Sequence, residues 1–265
     1  MKRINYLLLL FITVFSYSCK KDNTEESINW VLTWSDEFAG AAGQLPDATK
    51  WNYDTGGGGW GNNELETYTN NPANVSLDGN GHLVITAKSD LTSARIKTKG
   101  LFDLQYGKIE ASIKLPAGTG MWPAFWMLGS DIDYNTWPGC GEIDIMEANG
   151  AKPTIVHGTV HGPGYSGGSC ITSSYTLKSG RIDTAYHLYA VEWSSTDIKF
   201  FVDGIQYSKV VPKDVSPSQW VFDKKFFLIL NLAVGGNFIA NPPVSSITLP
   251  KSMYIDYIKV YKNAN

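Results

Sequence analysis

Gly141-Glu142-Ile143-Asp144-Ile145-Met146-Glu147-Ala148 places three acids within six residues of an otherwise apolar run. Side chains alternate along a regular strand, so Glu142 and Asp144 share one face while Ile143 and Ile145 turn to a core. Glu147 then falls on the core side, where an unpaired acid is costly. One extra residue, a β-bulge at Ile145-Met146, returns Glu147 to the face of Glu142 and Asp144. The stretch therefore predicts a bulged strand with one apolar face and one face of three carboxylates.

Runs of the same β character lie on both sides of it: HLVITAK (82–88), YGKIEASIKLP (106–116), HLYAVEW (187–193), IKFFVDGIQYSKVV (198–211), FFLILNLAV (226–234) and MYIDYIKVYK (253–262). Gly, Asn, Asp and Pro separate them, and none sustains a helical period. Asp203-Gly204 sits between two such runs and signals a tight hairpin, whose turn needs positive φ at both central positions. FFLILNLAV is apolar on both faces, as expected of a central strand covered by a second sheet on one side and by a groove on the other. Asn231 is its polar exception, readable either as a satisfied core amide or as a sugar contact. The expected fold is all-β, a jelly-roll sandwich of two antiparallel sheets.

Bulk properties narrow the function. The chain has 265 residues, 43% hydrophobic and 18% charged, with a formal net charge of -3 and no long basic run, which gives nucleic acid no electrostatic purchase. Nine Trp and fourteen Tyr exceed what a core needs and suit stacking surfaces for a neutral ligand. Three clustered carboxylates repel one another, so folding alone does not explain them. A solvated strand face leaves the apolar Ile, Ile and Met between the acids unexplained, and a calcium site would draw on loop carbonyls as well. Glycoside hydrolysis requires two carboxyls, one ionised and one protonated, and Asp144 between them would separate their pKa values.

In these residues the chain resembles glycoside hydrolase family 16, in the bulged E-I-D-I-M-E form of its laminarinase-like endo-β-1,3-glucanases. The resemblance runs from Trp34-Ser35-Asp36-Glu37-Phe38 to Ile255-Asp256-Tyr257-Ile258-Lys259-Val260-Tyr261, through GWGNNELETYT (59–69), MWPAFWMLG (121–129), HGTVHGPGYSGG (157–168) and FFLILNLAVGGNF (226–238). It implies a concave cleft and endo-acting, retaining cleavage of β-1,3-glucan, with Glu142 as nucleophile, Asp144 as its hydrogen-bonding assistant and Glu147 as acid/base. Mixed-linkage β-1,3-1,4-glucan is the alternative that the wording leaves open. A galactan substrate or a non-catalytic glucan-binding module is further away, since a binding module has no use for two Glu flanking an Asp.

The groove walls follow the same reading. Alternation puts Trp122, Ala124 and Trp126 on one face, where indole rings suit the C–H faces of a pyranose; for Trp126, core packing is the competing reading. Trp137 resembles a family substrate aromatic, with a lid anchor as the competing reading. Asn62 and Glu64, in a loop too glycine-rich for a packed element, match family residues that contact sugar hydroxyls. Arg95 resembles a family substrate-binding arginine, with a surface ion pair as its alternative. His157 and His161 share a strand face; His161 is expected to hydrogen-bond substrate or Glu147, His157 to be structural. No third His or Cys follows at zinc spacing. No cofactor is expected for the chemistry, but the resemblance implies a structural calcium on the convex side, at Glu37, the Gly79 carbonyl and Asp256.

Lys2 and Arg3, an apolar run from Tyr6 to Phe15, and Ser16-Tyr17-Ser18-Cys19 have the layout of an export signal. The organisation expected is a lipoprotein-type signal over 1–18, a tether over 19–27 and one catalytic domain over 28–265. Its site is then the cell surface or outer membrane, held by a lipid on Cys19, or else secreted or periplasmic. A monomer acting on β-glucan is expected. Cys140 and Cys170 remain, and export permits a disulfide that the sequence cannot assign.

Overall fold

The computed structural model describes residues 28–265, so the signal, the tether and Cys19 lie outside the described residues. Two sheets face each other. The first runs, edge to edge, through Ile171–Thr176, Ile155–His161, Glu142–Glu147, Met121–Gly129, Phe226–Val234, Arg95–Lys97 and Asn52–Asp54. The second runs through Ile205–Val210, Ile198–Val202, His187–Trp193, Gly107–Lys114, Lys251–Asn263, Leu83–Ala87 and Val75–Leu77, with Trp30–Asp36 also pairing to Lys251–Asn263. All pairings within both sheets are antiparallel. Among the described residues helical structure is limited to short 3-10 turns. This is the all-β jelly-roll sandwich that the strand pattern implies.

The core lies between the sheets and is built by alternation. Phe226, Leu228, Leu230, Leu232 and Val234 point into it, together with Ile143, Ile145, Met146 and Ala148 of the acid strand. Phe227 and Ile229 point the other way, into a small second cluster with Leu128 and Cys140 beneath the groove. Phe226–Val234 is therefore buried at every position, as a central strand covered on both faces should be. The Asp203-Gly204 hairpin takes φ of 51° and 76°, the left-handed pair that its turn requires.

Candidate functional site

The bulge falls where the apolar pattern demands it. Asp144 pairs with Trp126 and Met146 with Phe125, leaving Ile145 as the extra residue. On the other edge, Asp144 pairs with Thr159 and Glu147 with His157, so Ile145 and Met146 together oppose Gly158. A Cβ at Gly158 would sit 2.4 Å from the Tyr207 hydroxyl, so glycine is needed opposite the bulge. The result places Glu142, Asp144 and Glu147 on one groove, with Ile143 and Ala148 in the core behind them.

That groove encloses about 660 Å³. Its walls include every residue that the sequence proposed for sugar contact: Asn62, Glu64, Arg95, Trp122, Trp126, Trp137 and His161. Two indoles bracket the acids. Trp137 Nε1 donates to Glu142 Oε2 at 2.7 Å, and Trp122 Nε1 donates to Glu147 Oε1 at 2.8 Å. Trp137 is thus fixed on a carboxylate and still 45% exposed, so its ring remains available to a ligand. Trp126 belongs to the groove and donates to Asn231 Oδ1 at 2.8 Å, while Asn231 Nδ2 donates to the Tyr68 hydroxyl at 3.0 Å. Asn231 is therefore both readings at once: internally satisfied and part of the wall.

One expectation needs correction. His161 does not turn to Glu147: its Nε2 lies 3.2 Å from Asp144 Oδ2 and 3.7 Å from Glu142 Oε1. Glu142 pairs directly with His161 across the strands, whereas Glu147 pairs with His157. His157 also lines the groove, edge-on to Phe238, which in turn packs on Trp122. Cys140 and Cys170 form no disulfide; one is buried beneath the groove and the other lines it.

Burial drives the acid electrostatics. It pushes Glu142 up to about 8, with the Asp144 charge adding to it, and Glu147 up to about 7. Asp144, 3% exposed, is raised well above the ordinary carboxylate range by burial and then by Glu147. Three carboxyls this close titrate as one unit that retains protons near neutrality. Asp144 is the deepest of them and shares a hydrogen bond with Glu142, so the two carboxyls hold a proton between them.

Sequence reasoning passed over two residues behind the wall. Tyr68 donates to Glu64 Oε2 at 3.0 Å and Asn62 to Glu64 Oε1 at 3.2 Å, which holds Glu64 from both sides. Glu66 is 1% exposed, accepts the Val234 N–H, and is pushed up to about 8 by burial and by Glu64. The alternation Glu64, Glu66, Tyr68 was the available signal. Arg95 pairs with Asp54 at 3.0 Å and sits 5.0 and 4.7 Å from the Trp60 and Trp126 ring centres. It is therefore an ion pair and a groove residue together.

On the other sheet, Lys251–Asn263 pairs with both Trp30–Asp36 and Leu83–Ala87, which brings the segments of Glu37, Gly79 and Asp256 near one another. The donors are all oxygen, as calcium prefers. Each carboxylate already has a partner: Glu37 Oε1 lies 3.2 Å from Lys259 Nζ, and Asp256 Oδ2 accepts from Ser112 at 3.1 Å.

A sandwich whose groove holds paired glutamates between indole rings has the design of a polysaccharide-cleaving enzyme. The family model for glycosyl hydrolases family 16 matches residues 62–256. A β-glucanase of Rhodothermus marinus is 38% identical over 99% of this chain and 95% of its own length. The laminarinase catalytic domain of Thermotoga maritima superposes with a TM-score of 0.84 at 44% identity, covering 89% of this chain and all of that one. The endo-β-1,3-glucanase of Pyrococcus furiosus gives 0.85 at 43% identity, over 91% and 97%. The chain belongs to glycoside hydrolase family 16 and is a glycoside hydrolase.

Proposed function

We propose that the protein cleaves internal β-1,3 linkages of laminarin-type glucan by double displacement. The observation that carries this reading is the bulge, which puts Glu142, Asp144 and Glu147 on one groove with an indole N–H on each outer acid. The similarity to a laminarinase and an endo-β-1,3-glucanase over most of the chain supports the substrate class.

In the first step a Glu142 carboxylate oxygen bonds the anomeric carbon as the glycosidic C–O bond breaks, and Glu147 gives its proton to the departing oxygen. Glu147, now an anion, takes a proton from water as that water attacks the same carbon, which releases Glu142 and restores the configuration. Asp144 keeps its proton on Glu142 in the resting state. Trp122, Trp126 and Trp137 offer ring faces to successive sugars, while Asn62, Glu64 and Arg95 offer polar contacts at the far side of the groove.

Product analysis on laminarin, lichenan and agarose tests the substrate, and NMR of the first-formed anomer tests retention. Short laminari-oligosaccharides that appear as the β-anomer are expected. Preferential release from lichenan or agarose rejects the β-1,3 assignment, and an initial α-anomer rejects the nucleophile. Export with a lipid on Cys19 belongs to the same proposal, supported by the apolar run from Tyr6 to Phe15. So does a structural calcium near Glu37, Gly79 and Asp256, which requires Lys259 to release Glu37. Added calcium then raises the melting temperature, and an unchanged temperature rejects the site.

A further inference from the structure

We propose that Glu142, Asp144 and His161 form a binding site for a borderline divalent cation such as Zn²⁺, and that a cation held there switches hydrolysis off reversibly. One ligand atom from each residue lies within 4.8 Å of the others. Ligands around a tetrahedral zinc at about 2.1 Å stand about 3.4 Å apart. His161 Nε2 meets Asp144 Oδ2 at 3.2 Å and Glu142 Oε1 at 3.7 Å, which brackets that spacing.

A second, separate observation points to a ligand. Asp144 is 3% exposed, and its Oδ2, the oxygen turned toward His161, has no hydrogen-bond partner. A buried acceptor in that state gains from any cation that reaches it. The donor set selects the metal: an imidazole with two carboxylates suits zinc and its neighbours, whereas calcium and magnesium prefer oxygen alone. Glu147 is outside the set: the ligand atoms that lie within 4.8 Å of one another come from Glu142, Asp144 and His161. Three protein ligands leave a fourth position open to the groove, where water or a sugar hydroxyl completes the coordination.

The inhibitory half rests on the role proposed for Glu142, since a metal on its carboxylate takes the electron pair that would attack the anomeric carbon. The binding half does not. Titration of the metal-stripped protein with ZnCl₂ at pH 7.5, followed by calorimetry, is expected to show one equivalent bound, and a laminari-oligosaccharide to compete with it. His161→Ala is expected to weaken binding at least tenfold, and Cys170→Ser, which removes the thiol in the same groove, to leave it unchanged. In the wild-type chain, imidazole NMR reports on all four histidines, His82, His157, His161 and His187, and only the His161 signals are expected to move at one equivalent. Movement of His157 instead, a loss of binding in Cys170→Ser, or unchanged affinity in His161→Ala overturns the site. Full hydrolysis with one equivalent of zinc bound overturns the switch while leaving the site in place.

Discussion

Two sides of the groove carry similar side chains under opposite electrostatic conditions. Around Arg95, Asp54 lies between two cations, Arg95 and Lys97, and the guanidinium is held against the rings of Trp60 and Trp126. Around Glu142, three carboxylates face two indole N–H groups and a single imidazole. Paired with cations, an acid is a brace that fixes a wall. Buried beside other acids, it cannot ionise freely, and that reluctance is what a general acid at neutral pH requires. The same residue type becomes structural or chemical according to what the adjacent strands bring to it.

The sharpest way to break this comparison is Glu142→Gln. The amide keeps the shape and the Trp137 contact but cannot attack, so hydrolysis should be abolished while glucan binding, read by affinity electrophoresis, persists. Normal turnover would remove Glu142 from the chemistry. Glu147→Ala should slow glucan hydrolysis by roughly 10²–10⁴-fold, the usual contribution of a positioned acid, and spare activated aryl glycosides whose leaving groups need no proton. Equal losses on both substrates would contradict its role.

Glu66 tests whether a buried acid without a cation behaves the same way outside the catalytic cluster. Its carboxyl, raised from 4.5 to about 8, holds a proton more tightly folded than unfolded. The stability it lends is complete below pH 4.5 and is lost as pH climbs through about 8. Glu66→Gln should therefore be more stable than wild type at pH 9 by a few kcal/mol, roughly the order that a carboxyl pKa raised from 4.5 to about 8 carries through linkage. Denaturant melts at pH 5 and pH 9 give the difference, and the absence of any pH-dependent gain would mean that Glu66 ionises freely.

The smallest effect expected is in Trp122→Phe, which retains a ring but removes the N–H that favours ionised Glu147. The alkaline limb of the activity profile, set by Glu147 near pH 7, should move up by about one pH unit, since one hydrogen bond to a charged group contributes roughly 1.5 kcal/mol. A limb that stays in place would show that the indole serves only as a stacking face.

Much of this was legible along the chain because strands write their burial in alternation. The acid strand announced its own bulge: Glu147 could reach the face of Glu142 only if one residue were added, and Ile145 is that residue. The groove aromatics followed from the parity of Trp122, Ala124 and Trp126. The Glu147 contact expected of His161 failed for a physical reason. Its partner depends on how two strands register across a bulge, and pairing Glu142 with His161 puts the imidazole on Asp144 rather than on Glu147. Glu66 and Tyr68 were passed over because their alternation with Glu64 does not by itself name a partner, and only the docking of that segment on Phe226–Val234 shows what they touch.

By itself, then, the sequence determined the all-β class, the central apolar strand, the face of three acids and the family resemblance, all of which depend on local period or on contiguous words. The tertiary structure decided which cations, indoles and imidazoles meet those acids. Such contacts join residues as far apart as Tyr68 and Asn231. A carboxyl's proton affinity depends on burial and neighbouring charge, and both are set by the strands that pack beside it rather than by the residues that flank it in the chain.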